Sequence, residues 1–211
     1  MTAAREDGVA LLAAIIATLL IAALAGALFM TMTEETAIAG GFRSGAEALY
    51  AAEAGIERSV DVLSATADWS GVAGGAGSPA FTDGAVGVRT LADGTQIDVA
   101  QAVNLANCAR STACSDSDVT AVTADRPWGP ANPRWGLYGY APVSTLLPGA
   151  ATSPVYVIVL AAAAVGSTDP AAPVLALRAE AYGPRGAHRI VEAEVAQDAA
   201  GVRVRAWRVV S

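Results

Sequence analysis

The chain has 211 residues, of which 54% are apolar, and its thirteen arginines, absent lysines and twenty acidic residues give a net charge of −7. That balance excludes a broad basic surface of the kind that binds nucleic acid without sequence preference. About 150 residues come after the helical N-terminal region, enough for one domain with its own core and too few for two.

The first element is the uncharged run from Val9 to Met30, 22 residues behind the segment "REDG". As a helix it reaches roughly 33 Å, the thickness of a bilayer's hydrocarbon layer. A secretory signal would also be apolar, and "ALAGA" offers a small-x-small cleavage site at Ala25 and Ala27. Its flank argues against that reading. Such signals begin with net positive charge, whereas Arg5 here is outweighed by Glu6 and Asp7. The expected state is a retained membrane helix. Arg5 before the span and Glu34 and Glu35 after it place the N-terminus on the cytoplasmic side.

Beyond Met30 the helical period continues. Phe42, Ala46, Leu49, Glu53, Ile56, Val60 and Leu63 recur at spacings of three and four, forming a stripe that is apolar except at Glu53. Arg43, Glu47, Glu57, Arg58 and Asp61 occupy the wet side. Gly40 and Gly41 weaken the helix and favour partial melting there. One long helix is expected, membrane-spanning over 9–30 and amphipathic over 31–64, its outer half docked on the C-terminal domain. Glu53 is expected to meet an arginine of the docked sheet or to be solvated where the stripe is incomplete.

From Ser70 the segment "SGVAGGAGSP" ends the helix, and the period falls to two. Val86 and Val88 on one side, and Ile97 and Val99 on the other, flank "LADGTQ", whose Asp93-Gly94 pair reads as a hairpin turn. Cys108 and Cys114 lie in "NCARSTACSDSD", among residues typical of an exposed loop. Outside the cytoplasmic membrane they are expected to form a disulfide closing a small ring. A zinc site would need about four ligands, and the single histidine, His188, is distant in sequence.

The stretch from Arg126 to Pro148 is rich in Pro, Gly and aromatic residues and reads as an ordered, irregular loop. Its Trp128, Trp135, Tyr138 and Tyr140 either form a ligand platform or, the commoner arrangement, pack the loop onto the core. Three strand signals close the chain: "SPVYVIVLAAAAVG", "VLALRAEAYGPRGAHRIVEAEVAQ" with alternation on both sides of a turn, and "GVRVRAWRVV". Leu175, Leu177, Ala179 and Ala181 share one face, Arg178 and Glu180 the other. The expected fold is α+β, a long N-terminal helix packed on a C-terminal antiparallel sheet within a β-rich domain over 65–211. No GxSxG, Walker A, GxGxxG or zinc spacing is present, so nothing nominates an enzyme, a metal or a cofactor. His188, after "GPRG", reads as a surface histidine.

The combination "REDG" before "VALLAAII", then "ALYAAEAGIER", then the closing hairpin and "VRVRAWRVV" resembles the class III signal proteins of type IV pili and type II secretion, most of all the PilX-type minor pilins. The resemblance covers Arg5 to Leu63 closely and the remainder loosely. It implies a leader of residues 1–8, cleavage by a prepilin peptidase after Gly8, and Val9 as a mature, N-methylated terminus. It further implies filament-core packing through Leu12, Ala13, Ile16, Leu19 and Leu20, with other pilins and minor pilins as partners and the inner membrane as the site of storage. Two departures are visible: Val9 stands where major pilins have phenylalanine, and Ala13 where they have glutamate. In pilins that glutamate is thought to meet a neighbour's terminal amine. Its absence is similar to the secretion pseudopilin GspK and fits a tip subunit. The implied function is a non-enzymatic minor pilin, or alternatively a type II secretion pseudopilin. A single-span envelope protein whose sheet domain binds a ligand or cell-wall component is the reading from a different class.

Overall fold

The computed structural model describes residues 6–124, 133–166, 173–198 and 201–210. Helix α1, Glu6–Ser64, is unbroken, so the melting suggested at Gly40 and Gly41 does not occur. Contacts divide the chain into two units inside this helix, Met1–Arg43 and Ser44–Ser211. Strand signals and helix thus combine in an α+β arrangement. Short α2, Ser70–Ala73, comes next, then β1 (Phe81–Thr82), β2 (Val88–Thr90) and β3 (Gln96–Asp98). The Asp93-Gly94 turn joins β2 and β3 in an antiparallel pair, with Gly94 at φ 85°. Val99 does not extend that hairpin. Asp98 accepts a hydrogen bond from the Ala100 amide and caps helix α3, Val99–Cys108, beside α4, Asp116–Ala124.

The Pro/Gly-rich middle contains order of a different kind from a loop. Gly136–Pro142 is strand β4, and the helical turn α5, Val143–Leu146, continues from it. A Cβ on Gly139 would lie 2.7 Å from the Phe81 ring, so glycine is what lets β1 approach. The remaining strands are β5 (Tyr156–Ala163), β6 (Val174–Tyr182), β7 (His188–Asp198) and β8 (Gly201–Val210). They match the three strand signals. The sheet runs β1-β4-β5-β6-β7-β8, antiparallel throughout except that β1 lies parallel to β4, which makes it mixed rather than wholly antiparallel.

On one face, the outer half of α1 buries itself against Val157 and Val159 of β5, Leu175, Leu177, Ala179 and Ala181 of β6, and Val191, Ala193 and Val195 of β7. The buried stripe keeps Ile56 and Leu63 of the expected face but is otherwise turned toward smaller residues. Its buried residues are Ser44, Gly45, Ala48, Ala51, Ala52, Ala54, Gly55, Ile56, Ser59 and Leu63, while Phe42 is 80% exposed and Leu49 and Val60 only edge the core. The reason is distance: a Cβ on Gly55 would sit 2.7 Å from Val157 Cγ1 and 3.2 Å from Val159 Cγ2, so small residues set how close the helix lies. Glu53 is half-buried beside this stripe and forms no ion pair among the described residues. Just past the end of α1 the Trp69 indole, fully buried, donates to the carbonyls of Leu63 and Thr66 at 3.1 Å each, adding to the Thr66 amide bond that already closes on Leu63. On the opposite face α3 covers β4 and β5 through Val99, Ala102 and Ala106.

Candidate functional site: the apolar helix and the polar face of the sheet

Gly8 and Val9 lie in the first turns of α1, both exposed, and a Cβ on Gly8 would meet nothing within 4 Å. From Val9 to Met32 the large apolar side chains are 48–70% exposed. Leu12, Ile16, Leu19 and Leu20 share one helical face, with Ala13 beside it, and none is covered. The segment is apolar on every side, the pattern of a helix whose surroundings are themselves apolar. It is long and apolar enough to cross a membrane. Its few hydroxyls are internally satisfied: Thr18 donates to the Ile15 carbonyl, Thr31 to Leu28, Thr33 to Met30 and Thr36 to Met32, at 2.7–2.9 Å. In lipid this removes the penalty of an unpaired donor.

Cys108 and Cys114 form the expected disulfide, with Cα atoms 6.0 Å apart. Cys108, however, is buried at the last turn of α3 rather than in an exposed loop, so the bridge ties the end of that helix to the chain leading into α4. Trp135, Tyr138 and Tyr140 are buried in the core, which is the packing role and not a ligand platform; Trp128 lies outside the described residues. Asn107 holds the Trp135 backbone at both ends, accepting from its amide and donating to its carbonyl at 2.8 Å.

The sheet face opposite α1 carries two polar groups of residues. Asp83 receives Nε and Nη2 of Arg89 at 3.0 and 2.8 Å and the hydroxyl of Tyr156 at 3.0 Å. Burial pushes the Asp83 carboxyl up, but the Arg89 and Tyr156 hydrogen bonds outweigh it and leave it below its usual range. Farther along, a chain of alternating charge crosses three strands. Glu180 accepts from Arg178 Nε at 2.7 Å and from the Tyr182 hydroxyl at 2.6 Å, and His188 Nε2 lies 3.3 Å away. Arg178 Nη1 then reaches Glu192 at 2.8 Å, and Arg208 Nε of β8 meets the same carboxylate at 2.8 Å. His188, largely at the surface, stacks on Tyr182 with ring centroids 4.5 Å apart. For Glu180 the burial that would raise its carboxyl is overcome by the His188 contact, the Arg178 charge and the Tyr182 hydroxyl, which hold it at about 2. The same burial and the Glu180 charge push Tyr182 well up.

The alternation of Arg178 and Glu180 is visible in sequence, but not Glu192 and Arg208, since their pairing depends on register across β6, β7 and β8. Chemically these groups are saturated: among the described residues no buried side-chain nitrogen or oxygen lacks a partner, and no cluster of three metal-binding side chains occurs. The chain matches no family model, curated protein or solved structure. What distinguishes it is the apolar helix, whose large side chains stand exposed along its whole first half.

Proposed function

We propose that this protein is a minor pilin-like structural subunit of type IV pilus assembly, acting at filament priming or at the tip. The observation that carries the reading is a single helix whose first half is apolar on all sides and uncovered while its outer half is the docking element of a mixed sheet. Such a helix rests in the inner membrane with the N-terminus cytoplasmic and the sheet unit outside, and it moves from lipid into a bundle of like helices. Leu12, Ile16, Leu19 and Leu20 exchange lipid for helix contacts, and Ala13 with its neighbouring small residues permits close approach. The disulfide supports an oxidising compartment for the sheet unit.

Processing is implied by the glycine immediately before the span. A prepilin peptidase cutting between Gly8 and Val9 would leave the apolar run intact. Replacing Gly8 with leucine should retain the leader and block assembly while leaving membrane insertion unchanged, and the intact mass of the mature N-terminus reads this directly. A native chain that begins at Met1, or one cut near Ala27, would reject this reading in favour of an envelope protein with a ligand-binding sheet.

A further inference from the structure

The core that α1 shares with the sheet begins at Ala48, and no side chain from Ser44 to Glu47 belongs to it. Yet Ser44 and Gly45 are buried. This first turn of the docked segment is held by polar groups: Arg185 Nη2 donates to the Ser44 hydroxyl at 3.1 Å, and Ser153 donates to the Glu47 carboxylate at 2.7 Å. The Arg189 guanidinium lies over Gly45, where a Cβ would be 2.8 Å from Nη2. Arg185 reaches Ser44 at a cost to its own backbone. In the turn between β6 and β7, Arg185 and Gly186 both sit at positive φ, 59° and 71°, a region that glycine adopts freely and arginine does not. The Arg185 amide donates to the Asp93 carboxylate at 3.1 Å, which helps to hold that conformation. Glycine at 185 would keep this hydrogen bond and relieve the backbone. What arginine alone supplies there is the guanidinium on Ser44.

We propose that Arg185 is a clasp, which closes the first docked turn of α1 on the sheet and, when released, lets that turn open by itself while the helix stays docked from Ala48 onward. Two features lead there. A turn held by hydrogen bonds opens at small cost because water takes the place of the lost partners, whereas lifting an apolar side chain exposes surface that gains nothing in return. The two parts of the helix therefore separate in stability at Ala48. In addition, the backbone at Arg185 is free to leave its strained conformation once the side chain has let go, which favours the open state further. The docked length of α1 thus varies by about one turn, its first docked residue being Ser44 or Ala48. Every group involved belongs to Ser44–Ser211, so the clasp operates whether or not the chain enters a filament.

The test is hydrogen exchange of the full chain in detergent micelles, resolved along the sequence by mass spectrometry. In the native chain the amides of residues 45–51 should exchange about tenfold or more faster than those of 52–63, although both segments lie inside one unbroken helix. Arg185→Gly and Ser44→Ala should each speed residues 45–51 by about tenfold again, leaving 52–63 and the sheet unchanged. Both remove the same hydrogen bond. The double variant should therefore exchange no faster than either single one, with near-ultraviolet circular dichroism reporting that the sheet is intact in all three. A native segment 45–51 as protected as 52–63 overturns the proposal, because the turn then opens only together with the rest of the helix. Single variants that speed the whole helix alike, or that leave 45–51 unchanged, overturn it as well, and so does a double variant in which the two effects simply multiply.

Discussion

Glu180 offers the sharpest test of how the sheet is held together. Its carboxyl is kept at about 2, against an ordinary 4.5, in a site that is almost wholly inaccessible to water. The difference corresponds to ~3 kcal/mol of preference for the charged form in the folded state. Because the folded value is depressed, this stability is fully present above pH ~4.5 and drains away as the pH falls toward ~2. The perturbation is Glu180→Gln, which keeps the shape and removes the charge. Denaturant unfolding of the full chain in detergent, monitored by near-ultraviolet circular dichroism, should show the variant ~3 kcal/mol less stable than the native chain near neutral pH. Near pH ~2 the two should converge to within ~1 kcal/mol, since the native carboxyl is then protonated and resembles the amide. Taking the difference between the chains cancels the other carboxylates. A gap that stays constant between those two conditions would mean that Glu180 acts through packing alone and that the charge argument is wrong.

Three other outcomes are expected from the same structure. Alkylation of freshly isolated envelopes without reduction should label neither Cys108 nor Cys114, and replacing both with serine should cost about 2 kcal/mol while loosening the end of α3, read by hydrogen exchange. Gly55→Val should destabilise the sheet unit by about 3 kcal/mol or more in thermal unfolding, because even a Cβ there lies 2.7 Å from a buried valine methyl; a neutral effect would show that α1 can lift off the sheet. Ala13→Glu should change the subunit's copy number or position in sheared filaments, measured by quantitative proteomics, more than it changes folding of the sheet unit, since an unpaired carboxylate in an apolar bundle is penalised by several kcal/mol.

The strands β5 to β8 are legible in sequence because β5 is a long β-branched apolar run buried on both faces, whereas β6, β7 and β8 alternate apolar and polar residues, although β8 stays largely exposed. The docked stripe of α1 is legible only at Ile56 and Leu63. Hydrophobicity favours Phe42, Leu49 and Val60, whereas the sheet selects for closeness, and Ser44, Ala48, Ala52, Gly55 and Ser59 carry almost no hydrophobic signal. Polar burial is possible at Ser59 because its hydroxyl donates to the Gly55 carbonyl at 2.8 Å. Strand β4 is hidden for a related reason: its glycine is required by an aromatic ring of β1 that lies far outside any local window. Helix α3 continues from a hairpin with no break in between, and only the Asp98 cap marks its start. At the candidate site, the apolar helix and the cysteine pair stand out by composition. The Glu180 chain of charges needs the pairing of three strands before its members can be joined.

Thr18 and Thr31, each hydroxyl turned back onto its own backbone, leave Val9–Met32 with no free side-chain donor to offer a neighbour. Rotating the helix about its axis changes the outline it presents but hardly its chemistry. A partner can therefore read it only as relief, by bumps and notches, and many related helices would read alike. In the proposed assembly, discrimination between right and wrong neighbours then falls to Ser44–Ser211, where charge and strand register differ from one surface to the next, so that variants altering partner choice should map to that unit while the helix tolerates apolar exchange.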